Sequence, residues 1–390
     1  MSRRSTILRI AFLTLLALLV VSPRTLDARG GKKAKVKLAA FPKHVVLVIL
    51  GGGIRPDDMR DAELMPTLAA MADEGRYVTK VASGAKDAYG AAARILTGRS
   101  EVVDAAAKPR PAWPTVAEYA RTGLDLPPTK AWFVSFEGGD RLNLAHSTHA
   151  QYGSVRAPSV TFGMGPFAQP LESFLENLGR PLPQDPKAWA KVRRLRGISR
   201  EAVSIWLPRS VDAGTPRAER VERALLRELD RKALLNRGPN PRDEQAIRAA
   251  LTVLAVHRPV LTVVLLGEAE QGQASFADYR AVLGAGDKGL ARLRKAVADD
   301  PVLAPNTTFV VVADRARAEK PDAEGRLPEA PDTKAGRITG VVLHGPGLAR
   351  RPKHKGPRAL EDLCPTIGHL LGFETPHATG SAWVGLVTPR

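Results

Sequence analysis

The sequence predicts an α/β fold with a mainly parallel sheet and helices on both faces. Three observations predict it. The runs His44–Leu50 (HVVLVIL) and Val260–Leu266 (VLTVVLL) are continuously β-branched or Leu, which marks strands buried on both faces. Amphipathic stretches at helical spacing alternate with such runs, the pattern of βαβ units. Gly51-Gly52-Gly53 ends the first run sharply, as a strand-to-loop transition requires.

The elements follow in order. A basic lead-in, residues 29–43, precedes the first strand. After a turn at Arg55-Pro56-Asp57-Asp58, a helix opens near Pro66, with Leu64, Leu68, Met71 and Ala72 on one face and Gly75 as its C-terminal stop. Tyr77–Ala82 reads as a strand and the Ala-rich Tyr89–Leu96 as a helix packed tightly on the sheet. Pro114–Thr122 reads as a further helix and Lys130–Phe136 as a second buried strand. Residues 150–245 are less regular and richer in Pro, Gly and Arg, which predicts an insertion or cap on the sheet. Charged amphipathic helices are expected within Arg217–Leu235 and over Asp243–Val256. The sheet resumes at Val260–Leu266, followed by a helix over Phe276–Val297, strands at Thr307–Val312 and Ile338–Leu343, and a helix over Leu360–Leu371. No internal repeat is visible, so residues 44–390 form one expected domain.

The N-terminus reads as a targeting segment. Arg3, Arg4 and Arg9 precede the apolar run Ile10–Val21, and Ala28 is a small residue at a cleavage distance. Twelve residues rise about 18 Å as a helix, short of a bilayer core of roughly 30 Å. The expectation is therefore a cleaved signal, residues 1–28, and a periplasmic or secreted body with no membrane span. An uncleaved N-terminal anchor, with the body still outside the cytoplasm, is the alternative.

Of 390 residues, 58 are Lys or Arg and 40 are Asp or Glu, a net charge of +18. The proposed signal carries four Arg and one Asp, so its removal leaves about +15. Such a surface attracts anions, whether small phosphate- or sulfate-bearing molecules or an acidic envelope polymer. Nucleic acid is disfavoured. The densest basic runs, Arg193–Arg196 and Arg350–Lys355, have no aromatic residues interleaved to stack on bases. The single cysteine, Cys364, lies in an apolar context and excludes both an internal disulfide and a cysteine-based zinc site.

Several segments together resemble the alkaline phosphatase/sulfatase superfamily. They are VVLVILGGGIRPDD (45–58), MPTLAAMADEGRYVTKVASGAKDAYGAAARILTGR (65–99) and LTVVLLGEAEQGQASFADYRAVLGAGDKGLARL (261–293). The closing portion adds NTTFVVVADRA (306–316), GVVLHGPG (340–347) and LEDLCPTIGHLLGFETPHATG (360–380). In order they cover about a third of the chain. The resemblance implies an alkaline phosphatase-like α/β fold and chemistry on phosphate or sulfate esters. It also implies one or two divalent metals held by Asp and His at strand ends, and a Ser, Thr or modified Cys nucleophile at a helix start.

The departures bear on that implication. Gly51-Gly52 stands where the family's first strand ends in Asp-Gly. Ala88-Tyr89-Gly90-Ala91-Ala92, counted back from Thr97-Gly98-Arg99, contains no Ser, Thr or Cys at the nucleophile's place. Ala269-Glu270-Gln271-Gly272-Gln273 replaces Asp-x-x-Gly-His, and Asp314-Arg315 replaces Asp-His. A glycine offers no ligand, and a guanidinium repels a cation. The reading is a catalytically degenerate member that binds an anionic ligand. An active hydrolase with relocated ligands is the alternative.

The remaining candidates are weak ones. Glu268, Glu270 and Asp314, with His377, are the metal candidates for one divalent cation, Ca²⁺, Mg²⁺ or Zn²⁺. Glu268 and Glu270 read equally as solvated loop residues, and His377 as a structural loop histidine. Ser83 near Lys86, or Tyr89, are the hydroxyl nucleophile candidates. His146 and His149 are the one close histidine pair. Arg315 and Lys86, with Gly-rich loop amides, form a candidate metal-free anion site.

Overall fold

The computed structural model describes residues 41–100, 107–135, 139–161, 242–267, 275–328, 337–349 and 356–388. The expected signal segment, the helix within Arg217–Leu235, both dense basic runs, Glu268 and Glu270 lie outside the described residues, as does the expected insertion from 162 to 241.

Among the described residues eight strands form one sheet: β1 His44–Leu50, β2 Arg76–Ala82, β3 Ala131–Ser135, β4 Ser159–Thr161, β5 Leu261–Leu266, β6 Thr307–Ala313, β7 Ile338–His344 and β8 Arg358–Ala359. Their order is β4-β3-β5-β1-β6-β7-β2-β8. All pairings are parallel except those of β7, which runs antiparallel to both β6 and β2. The expected mainly parallel sheet is therefore present, with one reversed strand. Strand β1 is central, pairing Leu50 with Leu266 on one side and with Ala313 on the other.

Among the described residues six α-helices cover the sheet: α1 Pro66–Glu74, α2 Ala88–Thr97, α3 Val116–Gly123, α4 Arg242–His257, α5 Phe276–Asp299 and α6 Leu363–Leu371. The alternation of β1 explains why two layers are needed. Val45, Leu47 and Ile49 pack with α2, α3 and α6, through Ala92, Ile95, Val116 and Ile367. Val46, Val48 and Leu50 pack with α1, α4 and α5, through Leu68, Met71, Leu254 and Leu290. At roughly 1.5–3 kcal/mol for each large apolar side chain buried, these two layers are what hold the sheet.

Local signals set the helix limits. Pro66 occupies the first turn of α1, where its missing N–H costs nothing. The amides of Thr67 and Leu68 donate to Asp287 of α5 at 3.0 and 2.9 Å, so one helix is capped by another. Gly75 ends α1 as expected, but not for the expected reason. Its φ is −115°, outside the left-handed region. A Cβ there would lie 2.1 Å from the Leu343 carbonyl oxygen of β7, so close backbone approach demands the glycine. Gly98, by contrast, ends α2 in the left-handed conformation at φ +69°.

Among the described residues no helix is long and apolar enough to cross a membrane.

Candidate functional site

In open α/β sheets, loops at the carboxyl ends of parallel strands form ligand sites. Here that edge gathers Gly51 after β1, Ser83 after β2, Arg141 after β3, Gly267 after β5 and Asp314 after β6. The turn Gly51-Gly52-Gly53 is its centre.

Gly52 and Gly53 have φ of +101° and +80°, conformations that L side chains rarely adopt. Their successive amides form a small anion nest, and the protein fills it itself. Gly52 N donates to Asp314 Oδ2 at 3.1 Å, and Gly53 N to Asp314 Oδ1 at 3.0 Å. Asp314 is fully buried. Arg317 donates through Nε to the carbonyls of Gly52 and Gly53 at 2.9 and 3.1 Å, and through Nη1 to Leu327 O at 2.6 Å. Its side chain is 1% exposed.

Two further guanidinium side chains meet the turn. An ideal Cβ on Gly51 would lie 3.2 Å from Arg141 Nη1 and 2.6 Å from the Leu266 carbonyl oxygen. An ideal Cβ on Gly53 would lie 3.5 Å from Arg315 Cγ. Arg141 and Arg315 are 7% and 4% exposed. Three buried arginines thus touch the three-glycine turn, and one buried carboxylate joins them.

The helix start beside this edge is also internally satisfied. Asp87 caps α2, with Gly90 N donating to its Oδ1 at 2.7 Å. Ala88, the first residue of α2, is 4% exposed and has no nucleophilic atom.

The residues singled out from sequence fall as follows. Ser83 is fully buried and donates to the Asp314 carbonyl at 3.1 Å, so its hydroxyl ties β2 to β6. Lys86 is exposed on the loop before α2, whereas Arg315 is buried beneath Gly53. Tyr89 donates its hydroxyl to backbone carbonyls of Lys108 and Pro109. His377 is not brought to Asp314. It sits at the other end of α2, where its carbonyl accepts from Arg99 Nη1 at 2.6 Å, and the ten residues of α2 span about 15 Å. There it stacks among His149, Trp113, Tyr119 and Tyr152, with ring centroids 4.8 to 6.4 Å away. His146 pairs with Arg110 Nη1 at 2.5 Å instead of with His149. Cys364 is fully buried, and burial raises its thiol pKa, which fits an inert apolar role.

Sequence reasoning missed Arg141, Arg317 and Glu118. Glu118 is buried and accepts from Thr115 N at 2.7 Å, Ser147 N at 3.0 Å and Ser147 Oγ at 2.8 Å. The spacing Thr115-x-x-Glu118 was a readable capping signal. Arg141 and Arg317 carry no such signal, because their burial is a product of tertiary contact.

The edge was tested for the metals that the resemblance implies. Among the described residues no group of three or more His, Cys, Asp or Glu is placed to hold a metal ion. Gly51 gives no ligand, and the space beyond it holds Arg141 Nη1. Both oxygens of Asp314 already accept amide hydrogen bonds. The described residues do not fit a metal here.

No family model matches the sequence, and no curated protein matches it. Solved structures do match. The lipoteichoic acid synthase LtaP from Listeria monocytogenes aligns at a TM-score of 0.51 and 13% identity, over 92% of this chain and 79% of that one. A mutant of the alkaline phosphatase PafA aligns at a TM-score of 0.50 and 9% identity, over 90% of this chain and 99% of that one. At such identities the likeness is one of fold. The chain has an alkaline phosphatase/sulfatase-like fold.

Proposed function

We propose that this protein is a noncatalytic alkaline phosphatase/sulfatase-like protein that binds a phosphate- or sulfate-bearing ligand at the carboxyl edge of its sheet. The observation that carries the reading is the Arg141 guanidinium beside Gly51, where the family's first aspartate would project. A fixed cation takes the place of an exchangeable one, and it retains the charge that attracts an anion without the Lewis acidity that cleaves it. Arg315 at Gly53 and the exposed Lys86 add positive charge to the same edge. The ligand is a small ester or an acidic envelope polymer, in keeping with the net charge of +18. Export by the N-terminal segment would place the protein in the periplasm or outside the cell.

Calorimetric titration with inorganic sulfate, phosphate and nitrophenyl sulfate tests the reading. Saturable binding that Arg141→Gln weakens at least about tenfold, a loss of about 1.4 kcal/mol, is the expected result. Binding unchanged by Arg141→Gln, or absent for every anion, contradicts it.

A second reading is an active hydrolase with relocated ligands, favoured by Asp314 at this edge and by two further carboxylates, Glu268 and Glu270, shortly after Leu266 in the sequence. It requires metal-dependent turnover of nitrophenyl phosphate or sulfate that Asp314→Ala abolishes.

A further inference from the structure

A cavity of about 470 Å³ lies away from the sheet edge, between the C-terminal ends of α3 and α6. That volume falls within the roughly 300–1,000 Å³ of small-molecule sites. Its walls are aromatic. Tyr119 and Tyr152 meet edge to face, with centroids 5.4 Å apart and planes at 72°, so they form a corner. Phe373 adds a third ring, and its Cβ would be only 2.7 Å from a Cβ on Gly123.

The electrostatics of the cavity oppose those of the molecule. Among the described residues, none of the chain's 58 Lys and Arg lines it. Its lining holds one carboxylate, Glu374, which is exposed at the rim, and one imidazole, His369, whose Nε2 is 3.0 Å from the Thr388 carbonyl. Thr122 and Gly123 bring the end of α3 to the wall, and Gly372 brings the end of α6. Helix C-termini carry partial negative charge and favour cations. The nearest basic side chain of the aromatic cluster is committed elsewhere: Arg99 stacks on Trp113 at 4.1 Å and donates to His377 O.

We propose that this cavity binds an organic ammonium group. Ring faces attract a cation through their quadrupoles, a carboxylate neutralises it, and two helix ends add to the negative potential. A small polar or apolar molecule would have no use for this sign of charge in a protein of net +18. The inference does not rest on the anion site at the sheet edge, since none of the cavity residues belongs to that edge. His377, outside the cavity, is held below the ordinary imidazole pKa by burial, by His149 and by Arg99, which disfavours a competing charge there.

The test uses choline and its uncharged isostere 3,3-dimethylbutanol, titrated calorimetrically into the full chain at pH 7.5. Saturable choline binding is expected, with the isostere at least about tenfold weaker, the size of a partly desolvated cation–π contribution. Tyr152→Ala and Glu374→Gln are each expected to weaken choline at least about fivefold. Both residues are accessible, and an unchanged melting temperature will show that the variants fold. Retention on phosphatidylcholine vesicles that free choline displaces would place the ammonium on a lipid headgroup. Choline binding without retention would place it on a free small molecule. Either result supports the site. No saturable choline binding, an equally strong isostere, or binding undiminished in both variants overturns it.

Discussion

At the scale of single residues, Gly51 shows how tightly the end of β1 is packed. An acidic side chain does not fit there by one substitution, because a Cβ at 51 would meet the Leu266 carbonyl at 2.6 Å. We predict that Gly51→Asp costs about 1–3 kcal/mol through overpacking and creates no zinc site, as measured by urea unfolding and equilibrium dialysis. Asp314 is the opposite case. It is fully buried, two glycine amides depend on it, and its removal leaves buried guanidiniums without its charge. Asp314→Ala should therefore cost at least about 3 kcal/mol. Ser83→Ala, which removes only one hydroxyl-to-carbonyl bond, should cost about 1 kcal/mol. A ranking in which Ser83 outweighs Asp314 would mean that the carboxylate does not organise the turn.

Helix α3 and the sheet margins govern behaviour at the scale of elements. Glu118 accepts three hydrogen bonds at the start of α3, two of them from Ser147, so Glu118→Ala should cost about 2–3 kcal/mol in urea unfolding. Burial nonetheless raises its pKa. His44, at the start of β1, and His344, at the end of β7, are both held below the ordinary imidazole value, burial being the largest cause. A backbone bond to Pro259 opposes that shift in His44, and Arg294 reinforces it in His344. As pH falls, the unfolded chain therefore takes up these two protons before the folded one does. Their contribution is whole above about pH 6.5 and is lost as pH drops through the lowered folded values. Glu118 acts with the opposite sign. Its folded pKa is raised, so the folded state gains as pH falls through that raised value. The urea midpoint should fall between pH 7.5 and 5.5. The fall should shrink in the His44→Gln/His344→Gln double variant. A double variant with an undiminished fall would place the proton uptake elsewhere.

At the scale of the whole molecule, the fold was legible wherever periodicity carried it. The continuous apolar runs at β1 and β5 announced a sheet covered on both faces, and the helix over Phe276–Asp299 was readable from its apolar face. Strands β4 and β8, of three and two residues, were not readable, because so few residues have no period. The reversal of β7 was hidden as well, since a buried strand reads the same in either direction. The glycine at 51 and the arginine at 315 were visible as departures. The other buried arginines at the turn were not, because nothing in the sequence marks Arg141 or Arg317 among 58 basic residues. Nor did any motif foretell that Ser83, before α2, would bond Asp314 while Arg99, after α2, would bond His377.

The central claim is that a sheet edge built around Gly51, Arg141 and the amide-bound Asp314 grips no catalytic cation. The most direct measurement is elemental analysis of the purified full chain after zinc and magnesium loading and exhaustive dialysis, with nitrophenyl phosphate and sulfate turnover followed on the same sample. This account predicts far less than one equivalent of tightly held metal and no turnover above background. One equivalent or more, with turnover that disappears in Asp314→Ala, would contradict it.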